Sequence, residues 1–586
     1  MSSTTNGPQT KTGDILLRTT TWGRRLALLT LFALLVAHLA FADGKHKLSP
    51  ELDAFKGGNH GATVDVIIQF TQTPTAAHHQ KVQSQGGVLK TKLDFIKAAH
   101  YSVPVEALGA LADDPDVRYI SSNRKIRGAM DSVVTSVNAD LANASGWNGA
   151  GIGVAVLDSG VTTVDDLNSD GNTSPSRVVY SQSFVPNDTS VNDAFGHGTH
   201  VAGIIAGNAY DSSYLLPYPD VYEGIASEAN IINLRVLDSN GAGVDSTVIA
   251  AIQQAIALKN TYNIRVMNLS LSRGVYESYT LDPLCQAVES AWNAGIVVVA
   301  AAGNMGEYYA SGTEGYATIG SPGNDPYVIT VGATNNHGSG SQAAQTMTSY
   351  SSKGPTALDH IVKPDLVAPG NAVVSLMAAP NTTLITTYPG LAVYPCDTTR
   401  TNCGPSYGQS QYLKLSGTSM ATPVVCGVAA LVLQQTPSLT PDQVKARLMK
   451  TAWKGFGPST TATNLTTAIT YQIEQDIFSI GAGAVDAAAA VANTDLAPAS
   501  VGSALSPVAV FDPNSNSVSI AGAPGTVWNN SAVWGNSVVW GNSVVWGNSV
   551  VWGNSVVWGN SVVWGNSVVW GNSAVWGNSI GLGDGN

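Results

Sequence analysis

Apolar and polar positions fall into stretches of different rhythm along the chain. Between about residues 129 and 495, short apolar runs without polar alternation recur at 154–157, 231–237, 266–271, 296–302 and 328–331. Stretches with helical spacing separate them, at 246–259, 281–294 and 419–434. These runs are mostly apolar, with Asn233, Arg235, Asn268, Ser270 and Thr330 as the polar exceptions, and each predicts a strand buried on both faces. Such strands separated by helices predict an α/β domain: a parallel sheet with helices on each face, three layers in all. A sheet of this kind gathers its functional groups at the C-terminal ends of its strands.

The flanks read differently. Residues 62–128 predict a small α+β unit, with strands at 64–70 and 98–103 and helices at 76–85 and 105–112. Val117-Arg118-Tyr119-Ile120 then leads into the basic string Arg124-Lys125-Ile126-Arg127. Residues 496–526 are rich in Ala, Ser, Pro, Gly and Asn and read as a linker. From 527 to 586 the chain is a strict six-residue repeat, with eight Trp-Gly-Asn-Ser copies from Trp534 to Trp576. An even period puts every Trp on the same face of successive strand-like passes. The tail then reads as a stacked solenoid, as a surface that associates with a cell surface or polymer, or as a low-complexity segment.

Composition sharpens this picture. A chain of 586 residues exceeds one ordinary core, so several parts are expected. The formal net charge is −12, and it is uneven. Residues 1–128 hold 15 basic and 10 acidic side chains, leaving 13 basic and 30 acidic in the remainder. A segment at −17 (13 minus 30) repels phosphate backbones, which argues against nucleic acid as a partner. At the N-terminus Arg24 and Arg25 precede the apolar run 26–37, and Ala40-Phe41-Ala42 has the form of a cleavage site. Residues 1–42 are therefore expected to be a signal peptide, and the protein to be secreted. In an exported chain, Cys396 and Cys403 are placed to close a small disulfide, while Cys285 and Cys426 lie in apolar helical patterns and read as buried thiols.

Three motifs carry the chemistry. Val156-Leu157-Asp158-Ser159-Gly160 ends a buried strand with a carboxylate. Gly196-His197-Gly198-Thr199-His200 sets an imidazole at the entrance to a helix. Gly417-Thr418-Ser419-Met420-Ala421-Thr422-Pro423 sets a hydroxyl at the start of another, with Pro423 expected in its first turn. Singly these are weak, because Asp-Ser-Gly is frequent in turns and a serine near a helix start is an ordinary cap. His200, three residues after His197, reads as a packed structural histidine.

Together, in this order, the motifs resemble those of the subtilisin-like serine proteases (the subtilases, peptidase family S8). The likeness spans roughly residues 62 to 495. It implies Ser419 as nucleophile, His197 as base and Asp158 as the group that orients and stabilises His197. It implies Asn304, after the run ending at Ala302-Gly303, as the oxyanion donor. Ser270 and Leu271, with Ala302 and Gly303, would wall the pocket for the residue before the cut. Met305 stands where many relatives carry a polar residue, which implies an apolar primary pocket. Asp166 lies where the family has a calcium-binding aspartate, although residues 207–224 depart from the usual calcium loop. The chemistry itself requires no cofactor; structural calcium is an expectation from the likeness alone. Residues 62–128 resemble the family's inhibitor-like (I9-type) propeptide, to be cut between about 124 and 135.

The expected protein is thus a secreted serine endopeptidase that acts on proteins or peptides through an acyl-enzyme and is held by its own propeptide until maturation. The alternative is a surface-associated adhesion protein whose protease domain serves mainly self-processing.

Overall fold

A computed structural model describes residues 47–49, 52, 63–122, 132–169, 175–308, 313–397, 402–512 and 517–521. The expected signal, the basic string at 124–127 and the tryptophan repeat lie outside them. The chain divides into two compact units, residues 1–126 and 127–586.

The first unit alternates as the sequence pattern requires. β1 (Thr63–Phe70) turns Val66, Ile68 and Phe70 inward, and β3 (Ala98–Pro104) turns Tyr101 and Val103 inward. Helices α1 (Ala76–Ser84) and α2 (Ala107–Asp113) contribute Val82, Leu108 and Leu111 to the same core. With β2 (Val88–Leu93) and β4 (Val117–Ser122) the strands form an antiparallel sheet in the order β2-β3-β1-β4.

In the second unit the apolar runs become β5 (Gly153–Asp158), β7 (Asn230–Arg235), β8 (Ile264–Leu269), β9 (Val297–Ala301) and β10 (Ile329–Asn335). β6 (Val178–Ser183), the short β11 (Thr346–Met347) and β12 (Leu366–Pro369) complete the sheet. The order is β11-β10-β9-β8-β5-β7-β6, with β12 also on β10. All pairings are parallel except β10–β11, which is antiparallel, so the sheet is mixed rather than purely parallel. The chain leaves β5 on one side through β6 and β7, then continues on the other through β8 and β9. That reversal opens a crevice at the C-terminal end of β5, which is where Asp158 stands.

Helices α3 (Gly198–Ala206), α4 (Asp245–Leu258), α5 (Pro283–Asn293) and α6 (Thr418–Gln435) pack on the sheet. α6 is buried on all sides from Thr418 to Leu433, and it runs against β8, β9, β10 and α3. A helix apolar all round is a core helix. Pro423 is the sixth residue of α6, inside the helix and not in its first turn. Cys396 and Cys403 form a disulfide, and Cys285 and Cys426 are buried free thiols.

The segment 497–521, read from composition as a linker, is built into this unit. Ala504 and Ser506 are buried. Ser506 Oγ donates to Asp365 Oδ1 (2.6 Å) and accepts from Lys445 Nζ (2.8 Å), and Ala504 N donates to Asp442 Oδ1 (2.8 Å). Beyond it, β13 (Val508–Asp512) pairs with β14 (Ser517–Ala521). Small residues suit close packing as well as flexibility, so composition does not separate the two. Ending the chain at residue 496 leaves buried partners of Asp365 and Asp442 unmade, each worth about 1–3 kcal/mol. Differential scanning calorimetry is expected to give such a chain a Tm roughly 5 °C or more below one ending at residue 521.

Candidate active site

β5 delivers Asp158 to the crevice with its side chain buried. His197 caps α3, and its Nδ1 donates to Asp158 Oδ1 at 2.8 Å. Ser159 N also donates to this oxygen, at 2.7 Å. Glycine at 198 is a packing requirement, because a Cβ there would stand 2.2 Å from the Gly160 carbonyl oxygen. With the proton on Nδ1 fixed by the carboxylate, Nε2 of the neutral ring is left as an acceptor. Burial opposes a charge on His197, but the nearby carboxylates of Asp158 and Asp193 outweigh it and hold its pKa above the ordinary value.

Asp193 is a residue that motif reading passed over. It is buried; its Oδ1 accepts from Gly196 N (2.7 Å) and Ser159 Oγ (2.8 Å), and its Oδ2 accepts from Thr199 N (2.8 Å). Ser159 Oγ accepts from Gly198 N at 2.9 Å. Backbone amides on both sides of His197 are thereby tied down. A carboxylate four residues before a histidine has no spacing signature of its own, so no motif points to it.

Ser419 is the second residue of α6, at the positive end of the helix dipole. Its Oγ donates to the Ser270 carbonyl at 3.2 Å. His197 and Ser419 thus stand at the N-terminal ends of two helices that pack on one another, α3 and α6. The structure makes the Asp158–His197 link directly, whereas the serine hydroxyl is turned to β8's end and not to the imidazole.

Asn304 follows β9 through Gly303, whose φ of +105° turns the chain there. Asn304 Oδ1 accepts from Thr418 N (2.8 Å) and Thr418 Oγ1 (3.0 Å), and Thr418 Oγ1 accepts from Gly303 N (3.1 Å). Pinning the oxygen turns Nδ2 the other way, beside Gly417. Thr418 is a second residue missed as a participant, hidden inside a motif read for its serine.

Of the expected pocket residues, Leu271 lines a cleft of about 510 Å³ together with the apolar Leu237, Val244, Val248, Tyr276 and Leu284 and the polar Asp245, Ser246, Ser272, Arg273 and Ser321. Ser270 is buried against Ser419, and Ala302 and Gly303 are buried on the Thr418 side. Met305 is exposed. His200 is buried with Nε2 toward the Val373 and Leu413 carbonyls, and burial pushes its pKa down to about 3, so it is a neutral structural ring.

Asp166 does not fit a calcium ion. Tyr412 Oη donates to its Oδ2 (2.6 Å) and Asp211 N to its Oδ1 (2.8 Å). Arg177 donates to the carbonyl oxygens of Asp166 (2.8 Å) and Ala206 (2.6 Å). The oxygens a hard cation would need already face donors. Among the described residues, no group of three or more His, Cys, Asp or Glu side chains converges to hold a metal.

A sequence profile described as the subtilase family matches residues 149–504. The chain is similar to serine protease AprX of Bacillus subtilis (strain 168), 34% identical over 414 residues, 68% of this chain and 85% of that protein. It is 31% identical to subtilisin E of the same strain over 439 residues, 73% of this chain and 94% of that protein. M-protease of Shouchella clausii (strain KSM-K16) is 34% identical over 353 residues, 59% of this chain and 72% of that protein.

Proposed function

This chain belongs to the subtilase family and is a serine protease, and from that premise we propose that it is a secreted endopeptidase working through an Asp158–His197–Ser419 triad. The observation that carries the assignment is the 2.8 Å His197–Asp158 bond, which leaves Nε2 as the base at the head of a helix packed against the one whose first turn holds Ser419.

In the proposed reaction, substrate in the cleft turns the Ser419 hydroxyl from the Ser270 carbonyl toward His197 Nε2. Resting hydrogen bonds of catalytic groups are often misaligned and tighten only with substrate. As Oγ attacks the scissile carbonyl, Nε2 takes its proton, and Asp158 stabilises the imidazolium. The imidazolium then protonates the leaving amine, and water reverses the sequence on the acyl-enzyme. Asn304 Nδ2 donates to the oxyanion, with its orientation set by Thr418. Asn304→Ala is expected to lower kcat by about 10²–10³-fold with little change in KM, read from initial rates on a peptide anilide.

The cleft beside Leu271 takes a side chain on the acyl side of the cut; Leu237, Val244, Val248, Leu271, Tyr276 and Leu284 favour a large apolar residue there, and Asp245, Arg273 and the serines put polar groups on the same lining. The first unit acts as an internal inhibitor and folding aid until the chain cuts itself between about 124 and 135. Its independent core supports this role. Export is supported by Arg24-Arg25, the apolar run and Ala40-Phe41-Ala42, and by the disulfide, which suits an oxidising compartment.

Denatured casein tests the activity. The purified protein should release peptides cut at internal bonds, and a serine-directed sulfonyl fluoride should abolish the release. Hydrolysis that resists this reagent but stops on chelation of metals would defeat the reading.

A further inference from the structure

Pro423 has no N–H to return to the carbonyl four residues earlier in α6, and that carbonyl belongs to Ser419. Ser270 Oγ donates to it instead, at 2.7 Å from the end of β8. Since Ser419 Oγ donates to the Ser270 carbonyl, the two residues are bonded to each other twice. The Ser270 hydroxyl is itself held. Asn268 Nδ2 donates to it at 3.0 Å, and the Cys426 thiol donates to Asn268 Oδ1 at 3.4 Å. Cys426 stands on α6 seven residues after Ser419. The hydrogen-bond chain therefore leaves the helix, crosses β8 and returns to the helix two turns earlier. All four residues are buried, and burial raises the Cys426 thiol pKa, which keeps its proton in place as a donor.

Resting on the reading of Ser419 as nucleophile, we propose that Ser270 is a positioning residue, whose hydroxyl fills the vacancy Pro423 leaves at the Ser419 carbonyl and so fixes the backbone beneath the nucleophile. Pro423 exchanges a partner within the helix for one on the neighbouring strand. Ser419 is then located by the same strand whose next residue, Leu271, lines the cleft. A shift of the reacting atom by a fraction of its approach distance is costly, so this tie acts on kcat.

The test is a double-mutant comparison read by the rate at which a small fluorophosphonate labels Ser419, a reaction with little use for the cleft beside Leu271. Ser270→Ala is expected to slow labelling about tenfold when Pro423 is present. In a Pro423→Ala background, where the helix regains its own N–H donor, the same change is expected to cost about twofold or less. On a peptide anilide the loss should appear in kcat, with KM nearly constant. A group that merely touched substrate would cost the same in both backgrounds. Equal losses in the two backgrounds, or labelling of Ser270→Ala at the wild-type rate, would overturn the proposal. If Ser270→Ala does not fold, Ser270→Cys, a similar shape with a weaker donor, is put through the same comparison with the same criterion. Absence of label on Ser419 in the wild type would remove the nucleophile assignment and this proposal with it. A labelled wild type with equal losses removes the positioning role alone.

Discussion

Ser419→Ala is expected to lower kcat by about 10⁶-fold, the order found for the triad of subtilisin, while KM stays within about threefold. The reason is chemical. Without Oγ no acyl-enzyme forms, and His197 and Asp158 are left with no proton to move in the attacking step. Asn304 and the dipole of α6 remain, so some acceleration over water should persist, because oxyanion stabilisation and binding do not depend on the hydroxyl. The substitution removes one oxygen at a position whose backbone is held through Thr418, Asn304 and Ser270, so the fold should be retained. Initial rates on a peptide anilide, at matched concentrations of folded protein, measure the drop. A loss of only tenfold would mean that another group attacks.

The second large effect is expected at Asp158. Asp158→Asn should lower kcat by about 10⁴-fold, because an amide in place of the carboxylate presents an N–H or a neutral oxygen to His197 Nδ1 and so destabilises both the working tautomer and the imidazolium. The pH profile gives the sign independently. His197 must be neutral to accept the Ser419 proton, so activity appears as pH rises through its pKa. Burial pushes that pKa down, while Asp158 and Asp193 push it up and prevail. Removing the Asp158 charge leaves burial, which lowers the pKa of the ring, opposed only by Asp193. The acidic limb of kcat/KM should therefore move to lower pH in Asp158→Asn. A limb that stays in place would show that a group other than His197 controls it.

The architecture was legible where burial is complete. β5 and β9 are apolar at nearly every position, and β7, β8 and β10 are buried throughout most of their length with only a few polar side chains among the apolar ones, so their runs announced themselves. β2 did not, since Val88-Leu89-Lys90-Thr91-Lys92-Leu93 is an edge strand with mostly exposed side chains and two lysines. β11 is two residues long and carries no periodicity at all. The segment 497–512 was misread because its hold on the domain consists of small buried residues and long-range bonds to Asp365, Asp442 and Lys445.

The candidate site was legible as three motifs, and its supports were not. Thr418 and the Ser270–Ser419 pair act through hydrogen bonds between segments far apart in sequence, and Asp193 acts through nearby backbone amides that leave no motif to mark it. Asp166 shows the reverse case. A position that resembles a calcium ligand is enclosed here by Tyr412, Asp211 and Arg177, none of which lies near enough in sequence to qualify the reading beforehand.

The central claim is that Ser419 is the nucleophile activated by His197. Its most direct test is to treat the active protein with a fluorophosphonate and locate the adduct by peptide mass spectrometry. One adduct is expected, on Ser419, formed at a rate that follows the deprotonation of His197 and in step with the loss of casein hydrolysis. An adduct on another residue, or full hydrolysis by protein in which Ser419 is quantitatively modified, would contradict it.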